Sequence, residues 1–262
     1  MIHDDGDVLD LLTRLFEAEG FEVVTAVTAF RAEAQLESER AIHVVVAPWD
    51  EAHAVGGEVY RWALQQRFDL RAQFVFLASE VTGDFDELVA GRGLAVPMTQ
   101  PAEVVRVAVA AVARWHAVQK LPDPVTDHRS RPSLLIAEDD PVLLHVMARL
   151  LEDSGYRVIQ VDSGHRAIDQ LHETAFDVIV ADWQMDAGSG FDVYKWIKNQ
   201  KPWLADRIVF LSGGERDDAQ TSVKGRPMVR KGQDSVYLLK VLREIVRQVR
   251  AEASGMSFLP RT

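Results

Sequence analysis

The chain has 262 residues, of which 47% are hydrophobic and 26% charged, and a formal net charge of -11. This length suits one large or two ordinary domains, and the apolar content supports packed cores rather than disorder. The acidic excess argues against nucleic acid as a direct partner, since phosphate binding needs a basic surface. The absence of cysteine excludes disulfides, thiolate metal sites and a cysteine nucleophile. No apolar run reaches the ~18 residues of a membrane span, and the first residues lack a signal-peptide pattern. A soluble cytoplasmic protein without membrane insertion is therefore expected.

Taken in order, the chain repeats itself with a period of about 135 residues, which indicates duplicated domains rather than a solenoid. Asp4 and Asp5 recur as Asp139 and Asp140, and Gly20–Val23 as Gly155–Val158. His43–Ala47 recurs as Asp177–Ala181, and Phe74–Leu77 as Ile208–Leu211. Three prolines and few large apolar residues mark Leu121–Pro132 as a linker. The expected division is a first domain at 1–117, a linker at 118–131, a second domain at 132–252 and a tail at 253–262.

Each copy alternates strand and helix. In the second, Ser133–Ala137 reads as a strand and Pro141–Ser154 as a helix with Leu143, Leu144, Met147, Leu150 and Leu151 at helical spacing. Gly155 stops that helix. Tyr156–Val161 is the second strand, His165–Glu173 a helix, and Phe176–Ala181 the third strand. Phe191–Lys201 is a helix, Arg207–Leu211 the fourth strand, Pro227–Arg230 the fifth, and Ser235–Ala251 the last helix. The segment between the last two strands, around Gly213–Gly225, offers few core residues, so a short or mobile helix is expected there. Residues from Ala251 onward are expected to fray. The fold class is α/β: two doubly wound five-stranded parallel-sheet domains, flavodoxin-like, in tandem.

The β-branched run Val178–Val180 suits a strand covered on both faces, and it ends in a carboxylate, Asp182. Alone, Asp182 reads equally as a cap. Other strand ends in the same copy carry Glu138 and Asp139, Ser212, and Lys231. A parallel sheet puts these ends on one edge, where open α/β sheets bind ligands. Carboxylates crowded there raise one another's pKa unless a cation joins them, and a hard divalent ion such as Mg2+ fits an all-oxygen set. A lysine and a hydroxyl facing that set suit a phosphoryl group, and a carboxylate can be its acceptor.

On these residues the second domain resembles the receiver domain of two-component response regulators along its whole length. The resemblance rests on Leu134–Pro141, Asp177–Met185 with Gly190, Val209–Ser212 and Val229–Lys231, in order and at strand ends. It implies that Asp182 is the phosphoacceptor, Asp139 a direct Mg2+ ligand, and Glu138 a ligand acting mainly through water. The backbone carbonyl of Gln184 would be the third protein ligand. Ser212 would bond a phosphoryl oxygen, Lys231 would neutralise phosphoryl charge, and Asp140 would lie outside the ligand set. The expected donor is a sensor histidine kinase or phosphotransfer protein, and the expected output is contact with a downstream protein. The chain is thus expected to be a phosphoacceptor that assists its own phosphoryl transfer and hydrolysis rather than an enzyme. Three positions depart from the family: Asp186 and Gly232 stand where prolines are usual, and Met228 where an aromatic switch residue is usual.

The first copy has lost this chemistry. Pro48 stands at the position of Asp182, Ala78 at that of Ser212 and Gln100 at that of Lys231, while His3 and Asp4 align with Glu138 and Asp139. Asp50 is two residues out of register for a substitute acceptor. The first domain therefore reads as a degenerate receiver, and its first strand is nearly absent: Leu134 and Leu135 have no counterpart, so either the true start lies upstream or the domain lacks most of its central strand. Its last helix, Glu103–Arg114, is apolar on nearly every face, which suggests packing against the second domain or a second chain as a homodimer. Trp49 and Trp183 each follow the acceptor position and are expected at the pocket mouth. The eight histidines lack ligand spacing. A phosphorylation-independent scaffold is the alternative reading. An aspartate-nucleophile phosphatase is disfavoured because Gln184 stands where its general acid would be.

Overall fold

A computed structural model of the chain describes residues 1–38, 41–49, 55–78, 94–97, 99–120, 131–213, 223, 225–231 and 235–254. The chain divides into two compact units, one over Met1–Gln119 and one over Lys120–Met256. The segment expected to be a weak helix falls mainly on 214–222 and 224, outside the described residues, as do Asp50, most of the linker and the end of the tail.

The first unit contains α1 (Gly6–Ala18), α2 (Ala29–Glu37), β1 (Val45–Trp49), α3 (Val55–Gln66) and a 3-10 turn over Phe68–Gln73. It continues with β2 (Phe74–Ala78), β3 (Leu94–Pro97) and α4 (Pro101–Gln119). The expectation of five strands is corrected here: the described residues form a three-stranded parallel sheet in the order β1-β2-β3. Only Met1–His3 precede Asp4, and they form an isolated parallel bridge between Ile2 and Ala26. The Ile2 amide donates to the Val46 carbonyl at 2.8 Å, and the Ala26 amide to the Met1 carbonyl at 2.9 Å. These few bonds trace the place of two further strands without completing either. A cavity of about 580 Å3 beside this bridge is lined by Phe16, Val23, Val24, Leu36, Val44 and Val45, among others.

The apolar α4 buries Val104, Val105, Ala108 and Ala111. Val104, Val105 and Ala108 pack with Leu12, Phe16, Val46, Val75 and Leu77 in this unit's own core. Val105 thus needs no outside surface to explain it, whereas Val109 is 42% exposed.

The second unit contains β4 (Ser133–Ala137), α5 (Pro141–Asp153), β5 (Arg157–Val161), α6 (Gly164–Glu173) and β6 (Val178–Asp182). It continues with α7 (Gly190–Gln200), a 3-10 turn over Pro202–Arg207, β7 (Ile208–Ser212), β8 (Met228–Arg230) and α8 (Ser235–Ala253). Its sheet has five parallel strands in the order β5-β4-β6-β7-β8. This is the doubly wound order in which the strand sequence reverses at β4. Leu134–Ala137, Val178–Ala181 and Ile208–Leu211 are almost wholly buried. Each large aliphatic side chain there contributes on the order of 2 kcal/mol of burial, which makes the central strands rigid supports for what lies at their ends. Gly155 ends α5 at φ 96°, a left-handed position that favours glycine. At the other end of the unit, Ala251 is buried in α8 instead of fraying.

The two units repeat each other in their contacts as well as their sequence. Trp49 meets Phe76 edge-on at 5.4 Å, and Trp183 meets Phe210 edge-on at 5.4 Å. Tyr60 meets Phe76 at 5.5 Å as Tyr194 meets Phe210 at 6.0 Å. A Cβ on Gly56 would lie 2.1 Å from the carbonyl oxygen of Pro48, and one on Gly190 2.5 Å from that of Asp182. In each unit a helix therefore starts directly against the backbone of one strand residue, Pro48 or Asp182.

Candidate functional site

The parallel register brings the expected residues to one edge. Ala137 pairs with Ala181, Asp182 with Leu211, and Ser212 with Arg230. Beyond the strands the ladder continues: the Trp183 amide donates to the Leu211 carbonyl and the Lys231 amide to the Ser212 carbonyl, both at 2.8 Å. Glu138, Asp182, Ser212 and Lys231 are thus fixed by main-chain bonds. Asp182, expected at the carboxyl end of its strand, is the last residue of β6.

Lys231 joins two of the acids. Its Nζ lies 2.7 Å from Oδ2 of Asp182, 2.8 Å from Oε2 of Glu138 and 2.9 Å from Oε1 of Glu138. Glu138 is fully buried and Asp182 is 3% exposed. Burial pushes the Asp182 carboxyl above its usual range, although the Lys231 bonds pull the other way. The Glu138 carboxyl is raised for the same first reason, against the same Lys231 bond. Burial alone would lower the Lys231 ammonium, but bonds and charge from Asp182 and Glu138 together hold it above its ordinary value. Lys231 therefore stays protonated at neutral pH.

Asp139 is the third acid. One ligand atom from each of Glu138, Asp139 and Asp182 can lie within 4.8 Å of the others. Asp140 turns away, since its Oδ1 accepts from the amides of Val142 at 2.8 Å and Leu143 at 3.0 Å, capping α5. Those bonds, the Leu143 amide first, hold its carboxyl below the usual range. Ser212 and Lys231 complete a cavity of about 300 Å3 with Glu138, Asp139, Asp182, Trp183 and Gln184. Trp183 is wedged against Phe191 and Phe210 at the rim. The set fits a hard divalent cation: all candidate donors are oxygens, and burial raises the carboxyls of Glu138 and Asp182, a cost that added positive charge would offset. Glu138, Asp139 and Asp182 would hold Mg2+, and Gln184 lines the same cavity.

Two features escaped the sequence reading. Asp139 Oδ2 accepts a 2.9 Å hydrogen bond from the Asp186 amide, 47 residues away. Nothing local in the sequence marks that pair. Gly56, which the sequence reading did not single out, matches Gly190 in its contact with a strand carbonyl. Met228, at the position of the usual aromatic, packs against this unit's hydrophobic core. In the first unit His3 is buried, and its Nδ1 accepts from the Asp5 amide at 3.0 Å. Pro48 and Ala78 carry no group that could accept or bind phosphoryl.

Residues 134–228 match the family model described as the response regulator receiver domain. The polar-differentiation response regulator DivK of Brucella ovis is 36% identical over 88 residues, which are 32% of this chain and 72% of DivK. The phosphate regulon transcriptional regulatory protein PhoB of Escherichia coli K12 is 28% identical over 86 residues, and the chain spans only 38% of that protein. Among solved structures, the chemotaxis protein CheY4 of Vibrio cholerae is 23% identical with a TM-score of 0.41, covering 45% of this chain and 99% of that one. This chain belongs to the response regulator receiver domain family, and the matched family segment lies in the second unit. Among the described residues no helix is long and apolar enough to cross a membrane.

Proposed function

We propose that the chain works as a two-component response regulator whose second unit accepts a phosphoryl group on Asp182 with the help of Mg2+. The observation that carries this reading is the single ammonium of Lys231 shared by Asp182 and Glu138, with Asp139 beside them, at the carboxyl edge of the sheet. Each residue then has a task. A carboxylate oxygen of Asp182 attacks phosphorus. The new O–P bond forms as the bond from phosphorus to a donor histidine nitrogen breaks, and the electron pair leaves with the imidazole. Lys231 moves from bridging two carboxylates to neutralising a phosphoryl oxygen, and Ser212 donates its hydroxyl to another. Glu138, Asp139, Asp182 and the Gln184 carbonyl are the proposed metal ligands, and Mg2+ bound there would supply charge for the remaining phosphoryl oxygens. The donor class is a histidine kinase or a phosphotransfer protein, and output is contact with another protein in the cytoplasm.

We read the first unit, spanning roughly 1–117, as a degenerate receiver that takes no phosphoryl group. Pro48 at the acceptor position and Ala78 at the hydroxyl position support this. The test is intact-protein mass after incubation with acetyl phosphate and magnesium. One added phosphoryl group on the wild type and none on Asp182→Asn is expected. No adduct on the wild type overturns the proposal, and an adduct retained on Asp182→Asn overturns the assignment of the acceptor.

A further inference from the structure

The three acids are not held alike. Lys231 grips Glu138 and Asp182 from the side of β8. Asp139 is gripped from the opposite loop, where the backbone N–H of Asp186 donates to its Oδ2 at 2.9 Å. That bond ties the segment after β4 to the segment after β6, the two walls of the acid pocket. The receiver family usually carries proline at the position of Asp186, and proline has no N–H to give. This chain therefore has a donor where its relatives' usual residue has none.

We propose that Asp186 is a positioning residue that clamps Asp139 through its main-chain N–H and so pre-organises the magnesium site. The inference rests on the proposed function, because it concerns the same site. A hydrogen bond to a charged carboxylate is among the stronger kinds. Mg2+ demands near-ideal octahedral geometry and gives up water reluctantly. A half-exposed carboxylate free to swing toward solvent serves such an ion poorly. One whose second oxygen is tied has less freedom to swing away. Outer partners that orient metal-binding carboxylates are typically worth about tenfold or more in metal affinity. The loop that carries the clamp is itself tied down: the Gly164 amide donates to the Gly188 carbonyl and the His165 amide to the Ala187 carbonyl, both at 3.1 Å. The N–H of Asp186 is thus held by its neighbours on the C-terminal side.

The test is calorimetric titration of the full chain with magnesium chloride. Asp186→Pro removes the N–H, whereas Asp186→Ala keeps it and removes only the side-chain carboxylate. A loss of about tenfold in affinity is expected for Asp186→Pro, with Asp186→Ala restored to within about threefold of wild type. Equal affinity of Asp186→Pro and wild type overturns the clamp, as does an equal loss in both variants. No magnesium binding by wild type overturns the proposed function itself, so the two failures are distinguishable. Should Asp186→Pro fail to fold, hydrogen exchange at the Asp186 amide reads the same bond. Exchange at least tenfold slower in wild type than in Asp139→Ala is expected, and equal exchange overturns the clamp.

Discussion

One cation, the Nζ of Lys231, lies 2.7 Å from Asp182 and 2.8 Å from Glu138, joining carboxylates that leave the sheet on two neighbouring strands. The three residues are far apart in sequence and share only the edge that β4, β6 and β8 reach together. Removing the cation would leave two nearly buried charges facing each other.

Lys231→Ala should therefore destabilise the magnesium-free protein by roughly 2–3 kcal/mol, at the low end for a broken buried pair because Lys231 keeps partial solvent access. Thermal melts in EDTA read this directly. Added magnesium should shrink the difference, since a divalent ion supplies the lost charge. A Lys231→Ala protein as stable as wild type in EDTA would contradict the pairing.

Asp182→Asn should act in the opposite direction. Burial is the main cause that raises the Asp182 carboxyl in the native state. The native state then keeps this proton to higher pH than the unfolded chain, so stability falls as pH rises from about 4 through the native value. Asparagine removes that loss. In EDTA, Asp182→Asn should melt higher than wild type at neutral pH, and the gap should close as the pH is lowered toward 4. A lower melting temperature at neutral pH would show that the Lys231 pairing outweighs burial.

Gly190→Ala should place a methyl 2.5 Å from the Asp182 carbonyl oxygen, where backbone rather than a flexible side chain must yield. Overpacking of this kind costs about 1–3 kcal/mol, more than the ~1 kcal/mol at most that alanine gains over glycine in a helix. Gly56→Ala should behave alike in the first unit, with its clash at 2.1 Å against Pro48. Only Gly190→Ala should also slow acetyl phosphate labelling, because only there is the displaced residue the proposed acceptor.

Ser189→Ala should loosen the start of α7. Ser189 and Asp192 form a reciprocal capping box, with the Asp192 amide donating to the Ser189 hydroxyl oxygen at 3.2 Å and the Ser189 amide donating to the Asp192 carboxylate at 2.9 Å; the hydroxyl also donates to that carboxylate at 2.7 Å. The loss should be about 1 kcal/mol near neutral pH. Lys195 first, then Ser189, hold the Asp192 carboxyl well below the usual range. A lowered carboxyl stabilises above the unfolded value of about 3.9 and loses that contribution as pH falls. The penalty of Ser189→Ala should therefore diminish in acid, as denaturant melts at the two pH values would show.

Much of the second unit was legible in its residues. Val178–Val180 and Ile208–Leu211 are continuous β-branched and apolar runs, and such runs are buried on both faces of a parallel sheet for simple reasons of area. The first unit was less so. Its duplicated segments suggested the same five strands, but Met1–His3 supply only bridging bonds beside β1, and hydrogen-bond ladders need length that local pattern does not report. Glu103–Arg114 looked like a helix in need of an outside partner, yet Val105 enters its own core, because helix tilt and neighbour placement decide which apolar face is covered.

The alternation of strand and helix, the duplication, and the residue types at each strand end can all be read from the residues. Those follow from side-chain hydrophobicity and spacing, which are properties of short stretches. Folding brings Lys231 against two particular carboxylates, makes Asp140 a helix cap while its neighbour Asp139 joins Glu138 and Asp182, and sets the Asp186 amide on Asp139. These are contacts of a few ångströms between distant segments, set by strand register and loop path. Hydrogen bonds and ion pairs fall off too steeply with distance and angle for residue spacing alone to specify them.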